Sequence, residues 1–384
     1  MKILHVVPSL SRGGAEDIIV NLSNHLCLQN EITIFSFTKY EDDNSNLARL
    51  NPIIKTKSLF QFNKYSSNSY KIFVKLILYI FSPIIALFLY QRLKIFNFHI
   101  VHINMNMSSL YFLFWKVFSC FNRQTKYVET YHTNWHLLKF YNKIIFSLSW
   151  SLVDLLIYEI KKSEINIIKN KSFARKIEFV PFAVPIVKPD LSYINSEKLN
   201  FKLKNNNEII YMSIARLRVF EKKYDLILKG FSLLRTKYNF HDFKYIICGD
   251  GPDKAVLEKL VVDYNLSDNV IFAGLIEKPE QLVFLSDIFV VAMIKMNTGI
   301  AGLQAGMAKI PLVGFQTEDD YNGENDLVFS SNDIEMFSAK LFELTKKDMY
   351  SDYKNKSSNY IKDNFSIDVF FSSYEKIFNN LMVK

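Results

Sequence analysis

Residues 2–16 read KILHVVPSLSRGGAE and set the pattern of the chain. The apolar, β-branched run Lys2–Val7 predicts a strand, Pro8–Gly14 forms a turn, and Ala15–Leu28 has apolar residues at helical spacing. A strand that passes through a glycine turn into a helix is the first half of a βαβ unit. Glycines there let the backbone approach an anionic ligand at the helix N-terminus. A plain tight turn explains the same residues, and both interpretations stay open.

Short apolar strands alternate with longer helical segments along the rest of the chain, which predicts α/β domains with parallel sheets. Further strands predicted in the first half are Glu31–Phe37, Phe98–Ile103, Lys126–Tyr131, Asp154–Tyr158 and Lys176–Pro181. The series restarts with Glu208–Ala215, Phe243–Cys248, Asn269–Ala273, Asp287–Ala292 and Pro311–Phe315. Between them, the stretch 181–190 and the polar segment 195–208 are interpreted as a linker. We predict two domains that face each other across a cleft.

Length and composition agree with this organisation. The 384 residues fit two domains of roughly 150 or more. A hydrophobic content of 49% excludes a disordered or low-complexity chain. The net charge of +9 is uneven, because residues 1–185 hold 22 basic and 11 acidic side chains while residues 186–384 hold 25 and 27. We therefore expect the first half to lie near an anionic partner.

The cysteines and the apolar runs bear on the compartment. Cys27, Cys120 and Cys248 are far apart and form no C-x-x-C, which favours a reducing compartment over a disulfide or zinc site. Residues 1–8 are too short for a cleavable signal. The longest apolar run without a charge, Leu76–Tyr90, has 15 residues, below the roughly 20 needed to span a bilayer. We expect a cytoplasmic protein with no membrane crossing.

Cations follow the first strand of the second series. Arg216 comes directly after it, and Glu221-Lys222-Lys223 follows at the start of a helix. Two cations beyond the carboxyl end of a strand are suited to clamp a diphosphate. The alternative is ordinary solvated charge, and the position favours the clamp.

Small residues follow two other strands. Residues 297–308 read NTGIAGLQAGMA, which either brings a helix N-terminus close to a ligand or packs a helix closely on the sheet; both readings stay open. Residues 248–252 read CGDGP, which we interpret as a structural turn. His132 and His136 have metal-pair spacing, but they lack an H-E-x-x-H motif and a nearby carboxylate, so we expect no metal.

In combination, these motifs resemble glycosyltransferase family 4, a large retaining family of GT-B fold, over nearly the whole chain. The matching segments are Gly13–Glu16, Val101–Asn104, His132, Ala215–Leu217 with Glu221-Lys222, Gly249–Pro252, Asn269–Gly274, Ser286-Asp287 and Phe365-Ser366. The resemblance implies two Rossmann-like domains. Residues 1–190 would form the acceptor side, residues 191–364 would bind the sugar nucleotide, and a helix within 365–384 would cross back to the first domain.

The resemblance also implies a role for each site residue. Arg216 and Lys222 would hold the donor's diphosphate, and His132 would lie beside the reacting sugar. Backbone and side-chain contacts to the donor would come from Gly13, Gly14, Gly299, Ile300, Ala301 and Gln304.

The chain departs from the family signature of two glutamates eight positions apart, which fall on Met296 and Gln304. An amide at 304 still hydrogen-bonds a ribose hydroxyl, whereas Met296 cannot replace a carboxylate that grips the sugar. The family's glycine after Glu-Lys is Lys223 here, so Lys223 stays an alternative to Lys222 as the clamp. A scaffold subunit with a decayed site and a sugar-nucleotide epimerase are the competing functions.

Basic residues bracket the apolar stretch Ile72–Tyr90; they are Lys55, Lys57, Lys64, Lys71, Lys75, Arg92 and Lys94. Ser82 is expected to cap a helix that has Pro83 at its first position. A helix apolar on nearly all sides is expected to be core, and the flanking cations also suit a surface that dips into an anionic leaflet.

From the resemblance and the charge asymmetry we expect a retaining hexosyltransferase. It would move a sugar from a nucleotide-diphosphate sugar to a lipid-linked or oligosaccharide acceptor, in bacterial-type surface polysaccharide synthesis such as O-antigen or capsule. It would need no metal or other cofactor, lie peripherally at the inner face of the cell membrane, and bind no nucleic acid.

Overall fold

The computed structural model describes the chain except residues 11–13, 41–45, 63–66, 105, 119–123, 132–139, 160–175, 182, 185–186, 204–207, 292–298, 316–328, 332, 347–350 and 383–384. Residue contacts divide it into two compact units. Unit 1 contains residues 1–182 and 370–384, and unit 2 contains residues 183–369. The boundary at 190 expected from the sequence thus lies eight residues inside the start of unit 2.

Unit 1 is built on a parallel sheet in the order β3-β2-β1-β4-β5-β6-β7. Its strands are β1 Lys2–Ser9, β2 Glu31–Tyr40, β3 Lys55–Phe62, β4 Ile100–Asn104, β5 Lys126–Tyr131, β6 Leu155–Tyr158 and β7 Ile177–Phe179. The predicted parallel α/β architecture is confirmed here. The sequence pattern missed β3, because the first four residues of this edge strand are polar and exposed, so it has no apolar alternation over its full length.

The helices between these strands are α1 Gly14–Leu26, α2 Asn68–Ile80, α3 Ser82–Leu93, α4 Asn106–Phe118 and α5 Phe140–Leu152. Helices α2 and α3 meet at an angle of 84°. Among the described residues, no single helix is long and apolar enough to cross a membrane, although this bent pair meets the length and composition criteria jointly.

The capping expectation for the apolar stretch was wrong, and the core expectation holds for one face of each helix. Ser82 is the first residue of α3 and is buried; Phe81 occupies the cap position, without a side-chain cap hydrogen bond. The stretch is also not simply core, because Ala86 and Leu89 are buried while Ile84 is 69% exposed. A bend between two short helices lets each one pack a single face and leave the other outside.

Unit 2 has a parallel sheet in the order β10-β9-β8-β11-β12-β13. Its strands are β8 Ile209–Ile214, β9 Phe243–Cys248, β10 Val270–Gly274, β11 Ile288–Val291, β12 Leu312–Phe315 and β13 Phe329–Ser331. Its helices, with the one that leads into unit 1, are α6 Leu191–Asn200, α7 Val219–Lys222, α8 Tyr224–Thr236, α9 Lys254–Asp263, α10 Pro279–Leu282, α11 Gly299–Met307, α12 Ile334–Glu343, α13 Ser351–Phe365 and α14 Ile367–Met382.

The linker interpretation of the polar segment was wrong in its first part. Helix α6 occupies it, and the Asp190 carboxylate caps this helix by accepting a 3.2 Å hydrogen bond from the N–H of Tyr193. The N–H of Asp190 donates to the side chain of Gln281 at 2.7 Å, so α6 is tied to unit 2. The sequence pattern did not predict helix α6, because Ile194 is its one buried residue and the rest of the helix is polar or exposed.

Candidate functional site

The strand order of unit 2 reverses between β8 and β11, which lie side by side in parallel. The chain leaves β8 toward β9 on one side of the sheet, while β11 continues to β12 on the other. In open α/β sheets, ligands bind outside the carboxyl ends of the strands at such a switch point. Among the described residues, the loop that carries Arg216 and Lys222 follows β8, and helix α11, which begins at Gly299, is the next described element after β11.

The loop after β8 is fixed by the loop after β9. The N–H of Ala215 donates to the carbonyl of Cys248 at 3.0 Å, and that of Leu217 donates to the carbonyl of Asp250 at 3.1 Å. Leu217 is fully buried, whereas Arg216 between these two anchors is exposed. The guanidinium is therefore carried on an anchored backbone and points out of the core.

Two glycines make this close approach possible. A Cβ at Gly249, whose φ is +134°, would overlap the carbonyl of Ala215, and a Cβ at Gly251 would overlap the backbone of Leu217. The N–H of Val219 is held in turn by the Asp253 carboxylate at 2.9 Å. Residues 248–252, which we interpret from the sequence as a structural turn, thus shape the loop that carries Arg216 and Lys222.

Lys222 ends the short helix α7 and is half-buried. Partial burial lowers the pKa of its ammonium group, because the charged form loses water, while the charge of Glu221 acts in the opposite direction. A partly desolvated cation gains from an anionic ligand. Lys223 follows with a left-handed backbone, φ 50°, and this is the conformation for which glycine is preferred.

The small residues of helix α11 have different surroundings in its first turn and in its second half. Gly299, with φ +68°, Ile300 and Ala301 lie in its first turn and are partly exposed. Further along, a Cβ at Gly306 would overlap the side chain of Ile361 in α13. Close packing therefore explains the second half of this helix, while the first turn is placed where it can donate N–H groups to a ligand.

The structure describes only some of the other predicted site residues. Gln304 is half-buried on α11. Gly14 begins α1 after β1, at the carboxyl edge of the unit 1 sheet. Gly13, His132 and Met296 lie outside the described residues, as does His136.

Phe220 was not singled out from the sequence. It lies on α7 between Arg216 and Lys222, and its ring is 80% exposed. A large exposed aromatic side chain beside two cations is suited to contact a base or sugar ring. The local signal was an apolar residue at a helix position where its neighbours Glu221 and Lys222 are charged.

A chain of buried polar groups crosses the unit 1 sheet and reaches α14. The Tyr374 hydroxyl donates to Glu159 at 2.8 Å and lies 2.9 Å from the Thr130 hydroxyl. The Thr130 hydroxyl is in turn 2.6 Å from Nε2 of His102. Nδ1 of His102 is 2.9 Å from Nδ1 of His5. Burial lowers the pKa of His5 to about 3, so its ring is neutral. His102, which lies in the segment Val101–Asn104 that resembles the family, is thus a core residue.

Within the part of the chain that the structure describes, no group of three or more His, Cys, Asp or Glu side chains is placed to hold a metal ion.

Comparison with solved structures shows the class of fold. A crystal structure of Anabaena Alr3699/HepE in complex with UDP and glucose superposes with a TM-score of 0.74, at 14% identity, over 99% of this chain and 100% of that one. The chain therefore has the GT-B fold expected from its motifs.

Residues 195–364, which form most of unit 2, match the family model described as Glycosyl transferases group 1. Among curated relatives, the N-acetyl-alpha-D-glucosaminyl L-malate synthase of Bacillus anthracis is 21% identical over 46% of this chain and 47% of its own length. The alpha-monoglucosyldiacylglycerol synthase of Acholeplasma laidlawii is 26% identical over 33% of each chain. The matches thus span half or less of these relatives. Together the comparisons show a GT-B fold whose residues 195–364 are similar to group 1 glycosyl transferases.

Proposed function

We propose that this protein is a retaining, metal-independent hexosyltransferase of family 4. It transfers a sugar from a nucleotide-diphosphate sugar to a lipid-linked saccharide acceptor in bacterial-type surface polysaccharide synthesis. The observation that supports the proposal is the switch point between β8 and β11, because the loop with Arg216 and Lys222 follows β8 and helix α11 follows β11. An oligosaccharide without a lipid is the alternative acceptor.

The reaction breaks the bond between the anomeric carbon and the diphosphate oxygen, so negative charge grows on the leaving nucleoside diphosphate. Arg216 and Lys222 supply fixed positive charge, and the N–H groups around Gly299 supply aligned dipoles. The acceptor hydroxyl attacks from the face that the diphosphate leaves, and its proton passes to a diphosphate oxygen. This geometry retains the anomeric configuration and needs no protein nucleophile.

The donor side of the proposal has support from the comparisons in one respect: the Anabaena structure of the same fold holds UDP and glucose. The lipid side rests on the basic first half of the chain, and one relative is named as a synthase of a glucosylated diacylglycerol. On unit 2, Gln304 is a further residue that we propose to position the nucleotide, and Gly13, Gly14 and His132 remain candidates from the family resemblance.

A scaffold subunit with a decayed site is the second candidate. Met296 and Gln304 favour it, because neither supplies the carboxylate that the family signature has at these positions. An epimerase is a third candidate; it would change the donor sugar with no acceptor present.

Calorimetric titration of the purified chain with UDP-, GDP- and dTDP-sugars, with and without EDTA, tests the proposal. We expect saturable binding of one donor class that survives EDTA, followed by transfer to a lipid-linked acceptor in a radiolabel assay. Absence of binding by every nucleotide supports the scaffold. Donor conversion without an acceptor supports the epimerase, and loss of transfer in EDTA contradicts metal independence.

A further inference from the structure

Helices α2 and α3 present apolar side chains to the outside of unit 1. We define the apolar face by Ile72, Phe73, Leu76 and Ile80 on α2 with Ile84 and Phe88 on α3. These side chains are 48–69% exposed, and those of Ile80 and Ile84, on either side of the bend, are 68% and 69% exposed. A large group of exposed apolar side chains is unusual on the surface of a soluble protein and marks an interaction site.

The inner side of the same helices is firmly attached. Val74 and Leu78 of α2 are buried. From α4, the Tyr111 hydroxyl donates to the carbonyl of Leu78 at 2.8 Å, and the Trp115 indole donates to the carbonyl of Ala86 at 2.9 Å. These bonds fix which side of each helix faces the core, so the outward direction of the apolar face is built into the fold.

A second apolar stripe lies on α5. Phe140, Ile144, Leu148 and Leu152 recur every four residues and are 40–79% exposed. Helix α4 packs against both α3 and α5, which places the three helices in one layer on the same side of the sheet. The two apolar surfaces therefore belong to one face of unit 1.

The segment that supplies this face carries charge of almost one sign. Residues 44–153 contain 13 Lys and Arg side chains and a single carboxylate, Glu129. Glu129 is completely buried and accepts hydrogen bonds from Ser109 and Ser149, and burial raises its pKa to about 7. The segment that supplies α2 to α5 thus offers no exposed carboxylate, while Arg92 and Lys94 at the end of α3 are exposed.

We propose that the apolar face docks this protein onto an anionic phospholipid bilayer, deepening the proposed function by naming the surface that reaches the lipid-linked acceptor. Helices α2 and α3, of 13 and 12 residues, are each too short to span a bilayer, and their 84° bend suits a shallow seat at the interface. The side chains of Ile80 and Ile84 enter the headgroup boundary, and Arg92 and Lys94 contact lipid phosphates.

Cosedimentation of the full chain with vesicles tests the apolar part. Wild type should bind vesicles of phosphatidylglycerol and phosphatidylcholine more tightly than pure phosphatidylcholine. Ile72→Ser/Ile80→Ser/Ile84→Ser should weaken binding by at least about tenfold, because burial of each side chain is lost. The matched control is Val256→Ser/Val262→Ser/Leu275→Ser, which changes three apolar side chains of unit 2 that are 53–81% exposed and should bind as wild type does.

The charge part is tested with Lys71→Gln/Arg92→Gln/Lys94→Gln. Binding to the anionic vesicles should fall about a hundredfold, and binding to pure phosphatidylcholine should not change. The control is Lys198→Gln/Lys229→Gln/Lys259→Gln, which removes three exposed cations of unit 2 and should leave vesicle binding intact.

The docking surface is overturned if wild type binds neither kind of vesicle, or if a unit 2 control loses as much binding as the matching unit 1 variant. It is also overturned if sedimentation velocity shows a dimer that the triple serine variant dissociates, because the apolar face would then be a contact between copies. Calorimetric donor binding is read on the same samples. Donor binding without vesicle binding overturns the docking surface alone, and vesicle binding without donor binding overturns the proposed function alone.

Discussion

The backbone N–H of Leu217 donates a 3.1 Å hydrogen bond to the carbonyl oxygen of Asp250. This bond ties the loop after β8 to the loop after β9, directly beside the exposed Arg216. The charge of the candidate site is thus carried by one loop and positioned by another. Residues that never contact a ligand are therefore expected to control ligand binding.

Gly251→Ala tests this relationship. The new Cβ would overlap the backbone of Leu217, so we expect a loss of about 2–3 kcal/mol in the free energy of unfolding and a loss of donor binding. Urea unfolding and calorimetry measure the two effects. Gly274→Ala is the control, since its Cβ would meet open space and only its φ of +71° costs about 1 kcal/mol. A Gly251→Ala variant with wild-type stability and binding would contradict the role of the turn.

Arg216→Ala and Lys222→Ala should each reduce turnover by about a hundredfold to a thousandfold, the usual effect of removing one preorganised group that stabilises transition-state charge. Stability should change little for Arg216→Ala, because that side chain is exposed. Lys229→Ala, an exposed cation on α8, should leave turnover unchanged. Normal turnover in either site variant would refute the diphosphate clamp.

Lys223→Gly should raise the free energy of unfolding by about 0.5–1 kcal/mol, because a non-glycine residue is disfavoured at φ 50°. Lys229→Gly, in the interior of α8, should lower it by about 1 kcal/mol. Donor titration of the first variant also decides between the two lysines. Retained affinity identifies Lys222 as the clamp, whereas a loss as large as that of Lys222→Ala assigns the role to Lys223.

Glu129 should make stability fall as the pH rises. Burial raises the pKa of its carboxyl from 4.5 to about 7, so the folded protein binds this proton more tightly than the unfolded chain does. The contribution of Glu129 to the free energy of unfolding is fully present below about pH 4.5. It is lost as the pH rises through about 7, a change on the order of 3 kcal/mol. Urea unfolding from pH 4.5 to 8 should show this loss in wild type relative to Glu129→Gln.

The opposite effect of His5 does not disturb this comparison. Its lowered pKa makes stability fall as the pH drops below about 6.5, but it acts equally in wild type and variant and cancels in the difference. A constant difference between wild type and Glu129→Gln across this range would show that Glu129 is charged in the folded state.

Most strands could be predicted from local pattern, and β5 and β9 match their predicted ranges. The failures have a common cause. Strand β3 and helix α6 lack an apolar periodicity because little of either is buried. The candidate site was proposed from charge at a strand end, whereas Phe220 was missed because its only local signal, an apolar residue next to charged ones, does not by itself indicate a ligand site.

The sequence alone determined two series of parallel strands, each joined through short turns to helices, and placed Arg216 and Lys222 after a strand. These are local properties, written in neighbouring residues. Only the tertiary structure decided that β8 and β11 are adjacent, that α2 and α3 turn an apolar face outward, and that Glu129 is buried. Each of these depends on which distant segment packs against which face, because sheet order and helix sidedness arise from contacts between residues far apart in the chain.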